Sequence, residues 1–275
     1  MEMEVWHRIT FNRRDGVDAA IEALNLKYEK SPLPGGGYLI HFTVSESDAR
    51  WPQIFSLVRQ KSALDIFNTK FTADEILKAE WLRLIPVFEQ GYPQPERTWV
   101  RNPISYQDHC PQCGTFRQTA NFRLKKEPNL GKKDFMSLYW TYALFCTHRV
   151  LNELETHKIQ GYEAWDAIIH KTNTPSERVV QLFIPHIASP GLVHVEDLKR
   201  VTCSVCHVTK YYPHRRGVMD LKRNALVPGV DMMQSYEWFG SGHAARREIL
   251  VSHKVAQLII GNGWRGVDFK VIELV

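Results

Sequence analysis

The chain has 275 residues, 44% of them hydrophobic, enough to bury one large core or two smaller ones without disulfide staples. Mean hydropathy is −0.32, and no apolar run approaches the ~20 residues a membrane-spanning helix needs. The opening segment carries Glu2 and Glu4 where a secretion signal would carry basic residues, so a cytoplasmic protein with no membrane partner is expected. Net charge is +5 and uneven: residues 1–105 sum to −1 and residues 106–275 to +6. That surplus permits polyanion binding but is thinner than a dedicated nucleic-acid module usually carries.

In chain order, Val5–Phe11 alternates apolar and polar residues as a strand does, and Asp15–Tyr28 repeats Val17, Ile21 and Leu24 at helical spacing. Three glycines at 35–37 break the chain before a second strand, Tyr38–Val44. Ser47–Arg59 places Trp51, Ile54, Phe55 and Val58 on one helical face, and Ala63–Phe71 reads as a third strand. Thr72 to Glu75 has capping-box spacing and predicts a helix reaching about Ile85. Pro93, Pro95 and Pro103 mark a connector, so an N-terminal α/β domain over 1–100 and a second domain over 101–275 are expected.

The second part contains an internal repeat. Thr147-His148-Arg149-Val150 matches Ser252-His253-Lys254-Val255, and Gly161-Tyr162-Glu163-Ala164 matches Gly266-Val267-Asp268-Phe269, ungapped at an offset of 105. Each copy reads as an apolar strand (Tyr142–Cys146; Ile249–Val251), a hydroxyl N-cap, a short amphipathic helix, a glycine turn and a second strand (Gly161–Ile169; Gly266–Leu274). Each also lies downstream of a Cys-x-x-Cys pair, Cys110/Cys113 or Cys203/Cys206, giving repeat units of about 106–170 and 199–275. The predicted class is α+β: an N-terminal α/β unit followed by a duplicated zinc-ribbon-like region of β-hairpins with short helices.

Five cysteines in a chain expected to lack an export signal point to metal or redox chemistry before disulfides. Cys110, Cys113, Cys203 and Cys206 would together complete a tetrahedral four-thiolate set, with one structural Zn²⁺ as the default ion and iron as its competitor. A redox role would need a strand-to-helix context, and unliganded cysteines pack as small hydrophobes. Pro111 and Gly114 suit a knuckle hairpin better than either. His109 and His207 flank the pairs and are candidates to hydrogen-bond the thiolates rather than to ligate. Cys146 is expected as a buried strand-end residue, since its repeat counterpart is Val251.

Basic doublets include Lys125-Lys126, Lys132-Lys133, Arg215-Arg216 and Arg246-Arg247, with Tyr139, Trp140, Tyr142, Tyr211 and Tyr212 among them. They are the candidate polyanion contacts, against the alternative of core aromatics with solvated charges. Gly240 to Ala245 matches a dinucleotide fingerprint, but an apolar strand follows almost at once, so a hairpin loop is expected there. No zincin sequence, nucleophile elbow or phosphate-binding loop occurs, and no enzyme activity is expected.

The residues His109-Cys110-Pro111-Gln112-Cys113-Gly114, Cys203-Ser204-Val205-Cys206 and the tail from Ile249 through Phe269 resemble the bacterial double-CxxCG-motif family. His207 stands where that pattern has a second glycine, and the likeness covers at most residues 106–275. Many members of that family are viewed as immunity proteins that neutralise toxins delivered between neighbouring cells. The resemblance therefore implies a zinc-stabilised, non-enzymatic protein with a toxin as its protein partner. The rival expectation is a nucleic-acid-binding zinc-ribbon protein.

Overall fold

The computed structural model describes residues 3–12, 16–97, 104–107 and 110–275. The chain divides into two compact units: Met1–Thr72 with Arg215–Gly217, and Ala73–His214 with Val218–Val275. No helix among the described residues is long and apolar enough to cross a membrane. The architecture is α+β, with strands predominating.

The first unit runs β1 (Glu4–Asn12), α1 (Asp18–Ala23), β2 (Glu29–Pro32), β3 (Tyr38–Ser45), α2 (Trp51–Gln60) and β4 (Leu64–Lys70). Its antiparallel sheet has the order β2-β3-β1-β4. Alternation along β1 turns Ile9 and Phe11 inward, where they pack with Ile21, Ile40, Phe42, Ile54 and Val58. The helix expected over 15–28 ends early, because Asn25 takes a left-handed conformation (φ 49°) that short polar side chains tolerate. The residues after it form the edge strand β2 instead. Arg215–Gly217 joins this unit through Thr69, whose N–H and hydroxyl donate to the Arg215 carbonyl at 2.9 and 3.1 Å. The Arg216 guanidinium pairs with Glu46 and holds that carboxyl below the usual carboxylate range.

The second unit begins with α3 (Ala73–Lys78) and β5 (Trp81–Pro86), so the helix expected to reach Ile85 stops at Lys78. Leu82, Arg83 and Leu84 are all buried, which fits a central strand covered on both faces, and such a run has no helical or alternating signature. Then come β6 (Tyr106–Gln107), β7 (Arg117–Gln118), β8 (Arg123–Leu124), β9 (Phe135–Met136), β10 (Leu144–Thr147), α4 (His148–Thr156), β11 (Glu163–Ile169) and β12 (Thr174–Phe183). The remainder is β13 (Arg200–Thr202), β14 (Thr209–Tyr211), β15 (Met219–Leu221), β16 (Met232–Phe239), β17 (Arg246–Ser252), α5 (His253–Gly261) and β18 (Val267–Leu274). Gly240 to Ala245 connects the antiparallel strands β16 and β17.

Two sheets carry the same pairing. In one the order is β8-β11-β12-β10-β9; in the other β15-β18-β5-β17-β16 continues through β14 to β13. Cys146 faces Val180 as Val251 faces Leu82, and Ala164 faces Leu182 as Phe269 faces Leu84. Phe135 pairs with Cys146 as Met232 pairs with Val251, and Leu124 lies beside Ile169 as Leu221 lies beside Leu274. The cores match as well: Leu124, Met136 and Phe145 hold one cluster, and Leu221, Met233 and Leu250 hold the other.

Each sheet thus takes its central strand from outside the adjacent strand–helix–strand segment: β5 enters between β17 and β18, and β12 between β10 and β11.

Two aspartates tie the halves together. The Asp134 and Phe135 N–H groups donate to the Arg265 carbonyl, and the Arg265 N–H returns to Asp134 Oδ2 at 2.9 Å. Asp231 and Met232 do the same with Gln160, whose N–H reaches Asp231 Oδ2 at 3.0 Å. Backbones approach so closely that a Cβ on Gly266 or Gly161 would lie 2.1 Å from the Phe135 or Met232 carbonyl oxygen. Both glycines also have φ above +100°. The N-caps differ: Thr147 Oγ1 accepts from the Val150 N–H as expected, whereas Ser252 makes no side-chain cap. Its hydroxyl donates to Asp231 Oδ1 at 2.9 Å in a charge-assisted bond.

Gly161→Ala and Gly266→Ala are each expected to destabilise the protein by about 1–3 kcal/mol from backbone conformation alone, with the carbonyl clash adding to it. Urea denaturation of each variant against the parent checks this.

Candidate metal centre

Two short hairpins present the cysteines. In the first, β6 and β7 pair through Tyr106 and Gln118; in the second, β13 and β14 pair through Thr202 and Thr209. The turns between them close identically. Gly114 and His207 donate their N–H groups to the Cys110 and Cys203 carbonyls at 2.9 and 3.0 Å. Cys110 and Cys203 donate theirs to the Thr115 and Val208 carbonyls at 2.8 and 3.0 Å.

Gly114 and His207 share the left-handed conformation, with φ of 73° and 59°. A Cβ at 114 would also lie 2.3 Å from His243 Nδ1, so that ring would have to move to admit one. At position 207 histidine adopts this left-handed geometry in glycine's place.

The four sulfurs of Cys110, Cys113, Cys203 and Cys206 lie within 4.8 Å of one another. Cys110 and Cys203 are 3.9 Å apart and 6% exposed, and Cys113 and Cys206 are 3.5 Å apart and half-buried. A tetrahedral ion bound by sulfur at about 2.3 Å spaces its ligands about 3.8 Å apart, so the set is compatible with a metal ion. Ser204 Oγ donates to Gln112 Oε1 at 3.2 Å, tying one knuckle to the other.

Electrostatics favour thiolates at part of the cluster. Burial would raise Cys113, but the Thr115 hydroxyl and N–H and the adjacent sulfurs draw it down to about 6. The N–H groups of Cys206 and Val205 draw Cys203 below the usual thiol range. The Val208 N–H lowers Cys206, yet burial and three surrounding sulfurs outweigh it and push that thiol up to about 11. A cation among the four is what would make every one a thiolate.

Lys210 completes the surroundings and carries no sequence signature beyond its place four residues after Cys206. It is only 6% exposed, and its ammonium donates to the Cys113 carbonyl and, at 2.9 Å, to the Gly242 carbonyl. A buried positive charge anchored to the Cys113 backbone would offset the negative charge that four thiolates leave around a divalent ion.

The other sequence candidates separate. His109 lies outside the described residues. His207 is exposed and contributes its backbone turn, with no ring atom in the sulfur cluster. Cys146 is fully buried, and burial pushes its thiol well above the ordinary range. Lys125 pairs with Glu96 at 3.4 Å, and Lys126, Lys132 and Lys133 are exposed. Arg215 and Arg216 belong to the first unit. Arg246 lies over the Tyr142 ring at 4.0 Å, and Arg247 donates to the Ser235 and Tyr236 carbonyls. Sequence reasoning also missed a buried network in which the Tyr142 hydroxyl donates to Glu248 at 3.0 Å.

The chain matches no protein-family model, and no curated protein matches it.

Lys210→Met is expected to keep the fold and weaken metal affinity roughly tenfold or more, as loss of a partner behind the ligands commonly does. Competition of the metal-loaded protein with a chelator measures the change.

Proposed function

We propose that this chain is a non-enzymatic, zinc-stabilised interaction protein, and that it acts in the cytoplasm as an immunity protein that binds and neutralises a toxin. The observation that carries the reading is the four-sulfur cluster. Four thiolates fill every position of a tetrahedral ion and leave none for substrate or activated water, so the metal holds the fold together. Zinc is the ion that such a closed sulfur set suits, and iron would announce itself by colour. The matched strand registers of the two halves support an origin by duplication of a zinc-ribbon-like unit. The toxin partner comes from the resemblance to the double-CxxCG-motif family, carried by residues Cys110–Gly114, Cys203–Cys206 and Ile249–Phe269.

The rival reading, a nucleic-acid-binding protein, draws on the +6 charge of residues 106–275 and on exposed lysines at 126, 132 and 133.

Cys110→Ser and Cys203→Ser are each expected to lose zinc and stability together, read by metal analysis and thermal unfolding. A double variant that is metal-free and as stable as the parent overturns the structural role.

Native pull-down from source-cell lysate at about 50 and 200 mM salt separates the two readings, because phosphate contacts weaken steeply across that range. One stoichiometric protein retained at both salts is expected. That protein expressed alone should arrest growth, and co-expression of this chain should restore it. Nucleic acid captured at low salt and lost at high salt would favour the rival.

A further inference from the structure

The second unit contains a cavity of about 440 Å³, within the size range of small-molecule sites. Its body is apolar and aromatic, with Phe116, Leu182 and Trp238 in the wall. Arg246 and Arg247, both partly buried, line it together with the exposed Arg117, and no aspartate or glutamate is among its described lining residues.

Arg246 is the informative one. Its guanidinium stacks on Tyr142, and its Nε is buried with no hydrogen-bond partner. Glu89 is near enough for Arg246 to act on its charge, but no hydrogen bond joins them. The buried acid below, Glu248, takes its hydrogen bond from Tyr142 instead. Arg247 is held in place by the Ser235 and Tyr236 carbonyls and lies 5.0 Å from the Trp238 ring.

A desolvated guanidinium N–H without an acceptor is costly, and the Arg246 Nε is such a group at the wall of this cavity. We infer that this cavity is a binding site for a small organic anion with an aromatic or aliphatic body, its acidic group on Arg246 and its body against Phe116, Leu182 and Trp238. Phe116 and Arg117 follow directly on the first cysteine turn, so the metal centre and the cavity share a wall. The site is independent of the partner reading above, and either can fail without the other.

The test uses the full-length, metal-loaded protein and two fluorescent probes of one shape: 1-anilinonaphthalene-8-sulfonate, which is anionic, and N-phenyl-1-naphthylamine, which lacks the sulfonate. One saturable sulfonate site per chain is expected. Arg246→Gln should weaken the sulfonate about tenfold or more, the scale of a lost charge-assisted hydrogen bond, while the neutral probe changes little. Ile187 lines the cavity and is 45% exposed, so Ile187→Trp adds bulk without disturbing a core and should block both probes. If Arg246→Gln fails to fold, the Ile187→Trp result alone decides. Unchanged sulfonate binding in Arg246→Gln, equal losses of both probes there, or undiminished binding in Ile187→Trp would each overturn the inference.

Discussion

Four sulfurs within 4.8 Å of one another cannot all carry negative charge unless a cation stands among them. That constraint links two hairpins whose cysteines are 93 positions apart in the chain. Each hairpin is too short to be stable alone: β6 and β7 have two residues apiece, and β13 and β14 three. Their closeness rests on the sulfur cluster, on Ser204 reaching Gln112, and on Lys210 binding the Cys113 carbonyl. Phe116 and Arg117, next in the chain after the first cysteine turn, also line the neighbouring cavity.

The four-cysteine cluster was legible in sequence because Cys-x-x-Cys is a local pattern: two sulfurs at fixed spacing with a turn between them. Lys210 was not, because its meaning depends on a carbonyl 97 residues earlier, and no spacing encodes that. The helix N-caps show the same division. Thr147 and Ser252 look equivalent in sequence, yet Asp231 takes the Ser252 hydroxyl while the matching Asp134 bonds Arg149 at 2.5 Å. In the fold, alternating strands such as β1 and β4 could be read directly. β5 could not, since a strand buried on both faces has the same apolar run as a buried helix, and the capping-box pattern at Thr72 favoured the helix. β12 opens with Thr174-Pro175-Ser176, which reads as loop and not as strand, and its partners β10 and β11 identify it only in three dimensions.

The correspondence between the halves reaches further than the sequence match at offset 105. It takes in β5 and β12, whose side chains differ almost throughout but whose registers against their partners agree. Register is what a sheet preserves, because a one-residue slip would turn every inward side chain outward. Side chains at matched positions are freer, and the halves have used that freedom. Gln181 exchanges amide hydrogen bonds with Gln118, whereas Arg83, at the same register position in β5, is buried and donates to the His214 carbonyl.

The placement of β5 between β17 and β18 has a consequence for the order in which the protein can form. From Pro86 to Arg246 the ribosome must add about 160 residues, on the order of ten seconds of synthesis at ordinary speeds. Through that interval Trp81, Leu82, Leu84 and Ile85 have been made, but neither neighbouring strand of their sheet exists. The five-stranded sheet can close around β12 much sooner. The nascent chain thus carries a hydrophobic segment with no mate for most of its elongation, which makes β5 the point where chaperone capture or misassembly would act.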